Sequence, residues 1–327
     1  MPDADMQEMY PELVIDSSTS LESTYGALLD EVPILQNRDS LLELSGGITN
    51  HNLLVATKSG KYVARISSNT SALLSIDRES EYRNSKLAAE IGIGAPVLDY
   101  LPGKGVLVIG YLNGRTYSAK DVRENLPRIA QSCRLLHSAQ PFVRDFNMFD
   151  IQRKYLKIVQ ERGYRLPKDY LNYADKIWQM YEAMKILDAG TVPCNNDLLP
   201  GNFIDDGKQI WIIDYEYSGN NDACFELGNI WAEAFLELAD LEELVNAYYG
   251  GSRPEKFARA WLQALLGKYG WTLWASIQSS ISELDFDFWS WGMAKYEIAQ
   301  SEFSSDFFPK MLHQVAQNSS GAPHSNL

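Results

Sequence analysis

Apolar and polar residues alternate with a period of two near the start of the chain and change to a helical period further on. From Leu41 the pattern runs LLELS, a GGITN turn, NLLVAT, a Lys-Ser-Gly turn and KYVARIS, which predicts three antiparallel strands. After a polar loop from Ser67 to Ser75, the segment Asp77–Ile91 sets Tyr82, Leu87 and Ile91 among Arg, Glu and Lys. That spacing predicts an amphipathic helix, closed by Gly92. VLDYLP and GVLVIGYL supply two further strands, so five strands with one helix inserted after the third make a compact first lobe.

The second half is different in texture. Leu, Ile and Ala positions suit helices from Ser118 to Ala139 and again over Asp150–Lys185, where Trp178 and Tyr181 are assigned to a core. Into this helical region fall CNNDLLPGNFI, an Asp-Asp-Gly turn and QIWIIDYEYSG, the pattern of a hairpin-like pair flanked by loops. Helices resume from Phe225. The chain is therefore α+β and bilobal: a small antiparallel five-stranded N-lobe with one helix over 41–110, and a larger, mainly helical C-lobe over 111–317. The boundary is set near Gly110–Asn113 by the change of texture. Residues 1–40 form an N-terminal extension of open role, with a helix expected over Leu21–Asp30 capped by Thr19 or Ser20. Residues 318–327 are small and polar and are expected to form a flexible tail.

Composition narrows the classes. Of 327 residues 45% are apolar and 22% charged, as in folded proteins, which excludes wholesale disorder. Lys and Arg total 29 against 43 Asp and Glu, a net charge of −14. With no local basic patch, that balance argues against a nucleic-acid partner. It suits a cationic small molecule, and equally plain solubility. Cys133, Cys194 and Cys224 are an odd number at no metal-ligand spacing, and no signal-like segment opens the chain, so a reducing cytoplasm is the expected setting. No apolar run approaches the ~18 residues that cross a bilayer, so no membrane span is expected. Nothing in the chain bears on oligomeric state.

The strongest chemical signal is Asp197-Leu-Leu-Pro-Gly-Asn202, followed by Asp214 after the apolar run IWII. Phosphoryl transfer needs a carboxylate to orient the attacking hydroxyl and take its proton. It also needs oxygen ligands that hold Mg²⁺ against the nucleotide phosphates. Asp197 suits the base, and Asn202 and Asp214 suit the metal. An ordinary loop draws on the same Asp, Asn, Pro and Gly.

The context decides between them. LSGGITNHNLLV with YVARIS, RESEYRNSKLAAEIGIGAP, VLVIGYLNGRT, CNNDLLPGNF and IIDYEYSGNNDACFELGN resemble, in order, the choline/ethanolamine kinase branch of the aminoglycoside phosphotransferase-like superfamily. The similarity runs from about Leu41 to Phe303 and implies a protein-kinase-like fold with ATP and Mg²⁺ as cofactors. It implies that Gly46, Gly47, Thr49 and Asn50 belong to a turn whose backbone N–H groups approach the nucleotide phosphates. In the same way Arg65 takes the place of the kinase third-strand Lys, with Glu81 as its partner, and backbone around Tyr111 and Leu112 meets the adenine edge. The glycine turn lacks the Gly-x-Gly-x-x-Gly spacing of protein kinases, which points away from protein substrates.

For the acceptor, GWTLWASIQSSIS resembles the choline-kinase segment whose two tryptophans face the substrate, which implies that role for Trp271 and Trp274. Tyr217 and Glu233 match further pocket positions. A quaternary ammonium needs such aromatic faces and carboxylates once it leaves water. Aromatics at helical spacing also fill cores, and the eight tryptophans all need sites. Choline is expected ahead of ethanolamine. Sister kinases of thiamine, an aminoglycoside or a sugar would share the catalytic residues and differ in the pocket. Two positions depart from the family: Asn195 stands where His is usual two residues before Asp197, and Glu226 stands for Asp in FxLGN. They are expected to brace the loop in altered form with activity kept, the opposite case being a catalytically silent ATP-binding protein.

Overall fold

The computed structural model describes residues 18–44, 50–67, 73–282 and 284–317. The tail expected at 318–327 lies outside them, as does the glycine turn at 45–49 with Gly46, Gly47 and Thr49. Strands β1 (Ser40–Glu43), β2 (Asn50–Thr57), β3 (Gly60–Ser67), β4 (Val97–Leu101) and β5 (Val106–Gly110) form a five-stranded sheet in the order β1-β2-β3-β5-β4. Every neighbouring pair is antiparallel. Because a strand sends alternate side chains to one side, Leu53, Val55, Ala64, Ile66, Val106 and Val108 gather on a single face. Helix α1 (Ser18–Leu29) and the 3-10 turn Pro33–Leu35 cover that face with Leu21, Leu29, Val32 and Leu35. Residues ahead of the first strand thus complete the sheet's core. The helix starts earlier than its expected cap. Ser20 lies inside it, and its carbonyl accepts the Ser23 and Thr24 hydroxyls at 2.8 and 3.0 Å.

Arg65 sits between Ala64 and Ile66 and so faces the other side of the sheet, toward α2 (Arg78–Glu90). This helix is capped by Asp77, whose side chain accepts the Ser80 amide at 3.0 Å, and the chain leaves it through Gly92 at φ 77°. That left-handed conformation is one that glycine adopts without strain. Ala88 and the following Ile93 join the core of the second lobe.

The C-lobe contains α3 (Ala119–Glu124), α4 (Leu126–His137), α5 (Met148–Arg162), α6 (Ala174–Ile186), α7 (Ala223–Glu233), α8 (Leu238–Tyr249), α9 (Pro254–Ile281), α10 (Phe288–Ser304) and α11 (Phe307–Val315). Short strands interrupt them: β6 (Arg115–Thr116), β8 (Phe203–Asp205) and β9 (Ile210–Ile212) form one sheet, β7 (Val192–Cys194) and β10 (Gly219–Asn221) another. Helix α9 is buried on all sides from Ala258 to Gln278, as a central helix must be. Helix α7 crosses it at Gly228, where a Cβ would run into the Ala260 carbonyl oxygen.

Trp178 corrects the sequence-based assignment. It is 61% exposed and lies tilted against Tyr181, while Met180 and Met184 take the buried face of α6. Two residues before Met180 is about 200° around a helix of 3.6 residues per turn, so the two side chains leave on opposite sides.

Candidate active site

β7 delivers the chain at Cys194 into Asn195-Asn196-Asp197, and a 3-10 turn at Pro200–Asn202 leads on to β8. The loop is held from below by Glu226, whose two oxygens accept the Asn195 and Asn196 amides at 2.8 and 2.7 Å. Asn195 works both ways. Its Nδ2 donates to the Asp214 and Ile213 carbonyls at 2.8 and 3.1 Å, and its Oδ1 accepts the Asp197 amide at 3.1 Å. Asn196 takes a left-handed φ of 68°, which asparagine tolerates better than most residues. Its side chain donates to the Tyr217 carbonyl at 3.0 Å and accepts from Asn221 at 2.9 Å. The two departures from the family pattern are therefore physically joined: Asn195 receives Glu226 on its backbone and clamps the Asp214 segment with its side chain.

Asn202 donates its Nδ2 to the Asp197 carbonyl oxygen at 2.6 Å, and its own carbonyl accepts the Ile213 amide at 3.0 Å. This places Asn202 alongside the residue that precedes Asp214, itself at φ 63°. An amide oxygen and a carboxylate on adjacent segments are the hard oxygen donors that Mg²⁺ takes, so the residues present fit that ion.

Asp214 Oδ1 accepts the Arg65 guanidinium at 2.7 Å, and Arg65 also lies 3.3 Å from Glu81. Around them runs a buried network. Arg78 reaches Glu81 at 2.6 Å, Glu216 at 3.2 Å and the Asn50 side-chain oxygen at 2.9 Å, and Asn50 Nδ2 donates to Glu216 at 2.8 Å. Burial, then the charges of Asp214 and Glu81, push the Glu216 carboxyl up. Asp197 keeps one side toward solvent. Dense surrounding protein, then the charges of Asp214, Glu216 and Glu233, still raise its carboxyl well above the usual carboxylate range, with Lys295 pulling the other way.

The aromatic positions meet as well. Trp274 Nε1 donates to the Tyr217 hydroxyl at 2.7 Å, and the Tyr217 ring stands edge-on to Trp271 at 5.1 Å between centroids. Glu233, the last residue of α7, is paired through both oxygens with Lys295 of α10 at 2.7 Å. Both indoles are buried within the C-lobe core.

The model of the choline/ethanolamine kinase family matches residues 41–249. The chain belongs to that family. Protein LicA of Haemophilus influenzae is 32% identical over 211 residues, covering 62% of this chain and 61% of its own length. Ethanolamine kinase 2 of Rattus norvegicus is 28% identical over 253 residues, covering 68% of this chain and 65% of its own length. The match thus spans somewhat less than two thirds of these relatives. The crystal structure of a choline/ethanolamine kinase family protein from Mesorhizobium loti superposes with a TM-score of 0.80 at 27% identity, over 90% of this chain and 99% of that one.

Within this family member, Asp197, Asn202, Asp214, Arg65 and Glu81 converge on one region, and Tyr217, Trp271 and Trp274 on a second. Asn50 opens β2 with its side chain committed to Arg78 and Glu216. Tyr111 and Leu112 follow β5. The Tyr111 amide donates to the Lys61 carbonyl at 3.2 Å, and the Leu112 carbonyl accepts the Gly114 amide at 3.0 Å. Glu216, Arg78 and Lys295 escaped the sequence reading. Glu216 had a signal in its place between Asp214 and Tyr217, whereas Arg78 and Lys295 look like ordinary surface charges until the helices are packed.

Behind the loop, His137, Cys194 and Glu226 offer ligand atoms within 4.8 Å of one another. Glu226 already accepts two amides, and burial pushes the Cys194 thiol well up, away from the thiolate a metal needs. The group is a hydrogen-bonded brace. Among the described residues no helix is long and apolar enough to cross a membrane.

Proposed function

We propose that this chain transfers the γ-phosphoryl group of ATP to the hydroxyl of an amino alcohol, with choline taken ahead of ethanolamine. The observation that supports it most is the setting of Asp197: Asn195 binds both its amide and the Asp214 carbonyl, Asn202 donates to its carbonyl, and three residues past Asp214 the Tyr217 hydroxyl accepts the Trp274 indole. A base with that placement addresses a nucleotide and an acceptor together. The acceptor oxygen forms its bond to the γ-phosphorus, the bond to the β–γ bridging oxygen breaks, ADP departs, and the hydroxyl proton passes to Asp197. Burial, the first cause of its raised pKa, strengthens its hold on that proton. Mg²⁺ held by Asn202 and Asp214 would supply charge neutralisation at the phosphates. Arg65, held beside Glu81 and Asp214, would turn its guanidinium to them. Tyr217, Trp271 and Trp274 favour choline because a quaternary ammonium donates no hydrogen bonds and is held by ring faces and charge.

The test is an ATP-coupled assay with Mg²⁺ across choline, ethanolamine, thiamine and an aminoglycoside. The highest kcat/KM is expected for choline. A higher value for ethanolamine reverses the finer reading, and turnover of neither amino alcohol removes the whole of it. Asp197→Asn should lower kcat by ~10²–10⁴-fold with ATP binding kept. A folded variant of near-normal kcat would show that the base lies elsewhere.

A further inference from the structure

Lys295 has the surroundings that an organic ammonium needs. Its Nζ lies 2.7 Å from each Glu233 oxygen and 4.3 Å from the centroid of Trp291. Trp291 stands edge-on to Trp274 at 5.5 Å, and Trp274 in turn is bonded to Tyr217. A carboxylate joined to an indole face is the chemistry that compensates a cation for lost water. The side chains of Lys295 and Glu233 are 7% and 5% exposed. A buried ion pair is a poor stabiliser beside apolar groups of the same volume, so packing α7 against α10 does not call for one.

We propose that Lys295 is the resident cation of the acceptor site: its ammonium stands where the acceptor's ammonium binds, and the acceptor enters by displacing it from Glu233. The inference rests on the reading of Glu233 as an acceptor residue. Charge balance supports displacement over simple addition. A second pair, Lys268 with Glu302, lies beside the first, Lys268 at 2.5 Å from Glu302 and over the Trp231 ring at 4.6 Å. Two ammonium groups already meet two carboxylates there, and both Glu233 oxygens are taken by Lys295, so an added cation reaches Glu233 only when Lys295 leaves. Lys295 can leave, since its charge rides on a flexible four-carbon stem and moves without the backbone. The acceptor's apparent affinity is then its intrinsic affinity multiplied by the fraction of molecules in which Lys295 has let go. Lys295 thereby sets how much acceptor the enzyme needs and discriminates against weakly held cations.

Lys295→Met keeps length and removes the charge. It is expected to bind tetramethylammonium, measured by calorimetry, ~10-fold or more tightly than the parent, with a matching fall in KM for choline and little change in KM for ATP. Equal or weaker binding by folded Lys295→Met overturns the proposal. If that variant does not fold, Lys295→Arg decides, because the two parallel N–H groups of a planar guanidinium match the carboxylate better than one ammonium shared between both oxygens. Weaker tetramethylammonium binding is expected there, and binding equal to the parent's overturns the proposal. Should the parent phosphorylate no amino alcohol, the functional reading falls, while the calorimetry still decides the place of Lys295 by itself.

Discussion

The hydrogen bond from the Trp274 indole to the Tyr217 hydroxyl ties the buried helix α9 directly to the segment that follows Asp214, so a change in this one side chain is felt in both. Trp274→Phe keeps most of the ring volume and removes the donor. The lost bond should cost about 0.5–1.5 kcal/mol of stability, and the freed Tyr217 should raise KM for choline more than KM for ATP. Trp274→Ala, by contrast, opens a cavity and should cost roughly 3–5 kcal/mol. Denaturant titration with steady-state kinetics separates the two effects. A Phe variant with an unchanged acceptor KM and a lower melting temperature would mark Trp274 as packing alone. Asn195 and Glu226 show the same economy. The amide of Asn195 both donates and accepts, and that dual capacity lets it stand between two loops where the family usually has histidine.

Helix α4 is tied to the short sheet through Asp205 at the end of β8. Asp205 accepts both Arg128 guanidinium nitrogens, one of them at 3.0 Å, the Tyr117 hydroxyl at 2.8 Å and the Gly207 amide at 2.9 Å. The Arg128 bond foremost, then the Gly207 and Tyr117 bonds, hold its carboxyl well below the usual range against the opposing effect of burial. A depressed folded pKa means that the unfolded chain binds a proton first as pH falls. The stabilisation is complete above the unfolded value near ~3.9 and fades below it. Asp205→Asn should therefore cost about 1.5–3 kcal/mol at neutral pH, with the gap to the parent closing as pH drops below ~4. Urea unfolding at pH 7 and pH 3.5 measures it. A gap that does not depend on pH would mean that the charge contributes nothing.

Between the lobes, α2 belongs to both. Its outer partner is the sheet, yet Ala88 and the following Ile93 sit in the C-lobe core, and Asn84 donates to the Ser218 hydroxyl at 3.0 Å. The Ile212 amide donates to the Ile93 carbonyl at 2.9 Å, and Arg78 and Arg65 carry the junction on to Glu216 and Asp214. Removing one cation from such a group leaves like charges facing each other in a buried site. Arg78→Met should cost ~3–5 kcal/mol. It should also weaken Mg-ATP binding, because Glu216 would draw Arg65 away from Asp214. Thermal unfolding and nucleotide titration check both, and a loss under about 0.5 kcal/mol would show that the junction rests on the apolar contacts.

Strand alternation from Leu41, the helix over Asp77–Ile91 closed by Gly92 and the Asp197–Asn202 loop were legible along the chain, because each depends on neighbours a few residues apart. The periods of two and 3.6 and the turn chemistry are local properties. The environments of the tryptophans were not. Trp178 and Trp274 both lie on helices among apolar residues, and one is 61% exposed while the other is 4% exposed. The difference lies in which side of each helix meets another element, and no local pattern records that. The ion pairs depend still more on assembly: Arg65 meets Asp214 across 149 positions and Lys295 meets Glu233 across 62. The residues of a kinase-like site were written locally, but the pairing of its buried charges, Lys295 with Glu233 among them, came from packing. A charge far along the chain can find its partner only when the helices that carry both have been brought face to face.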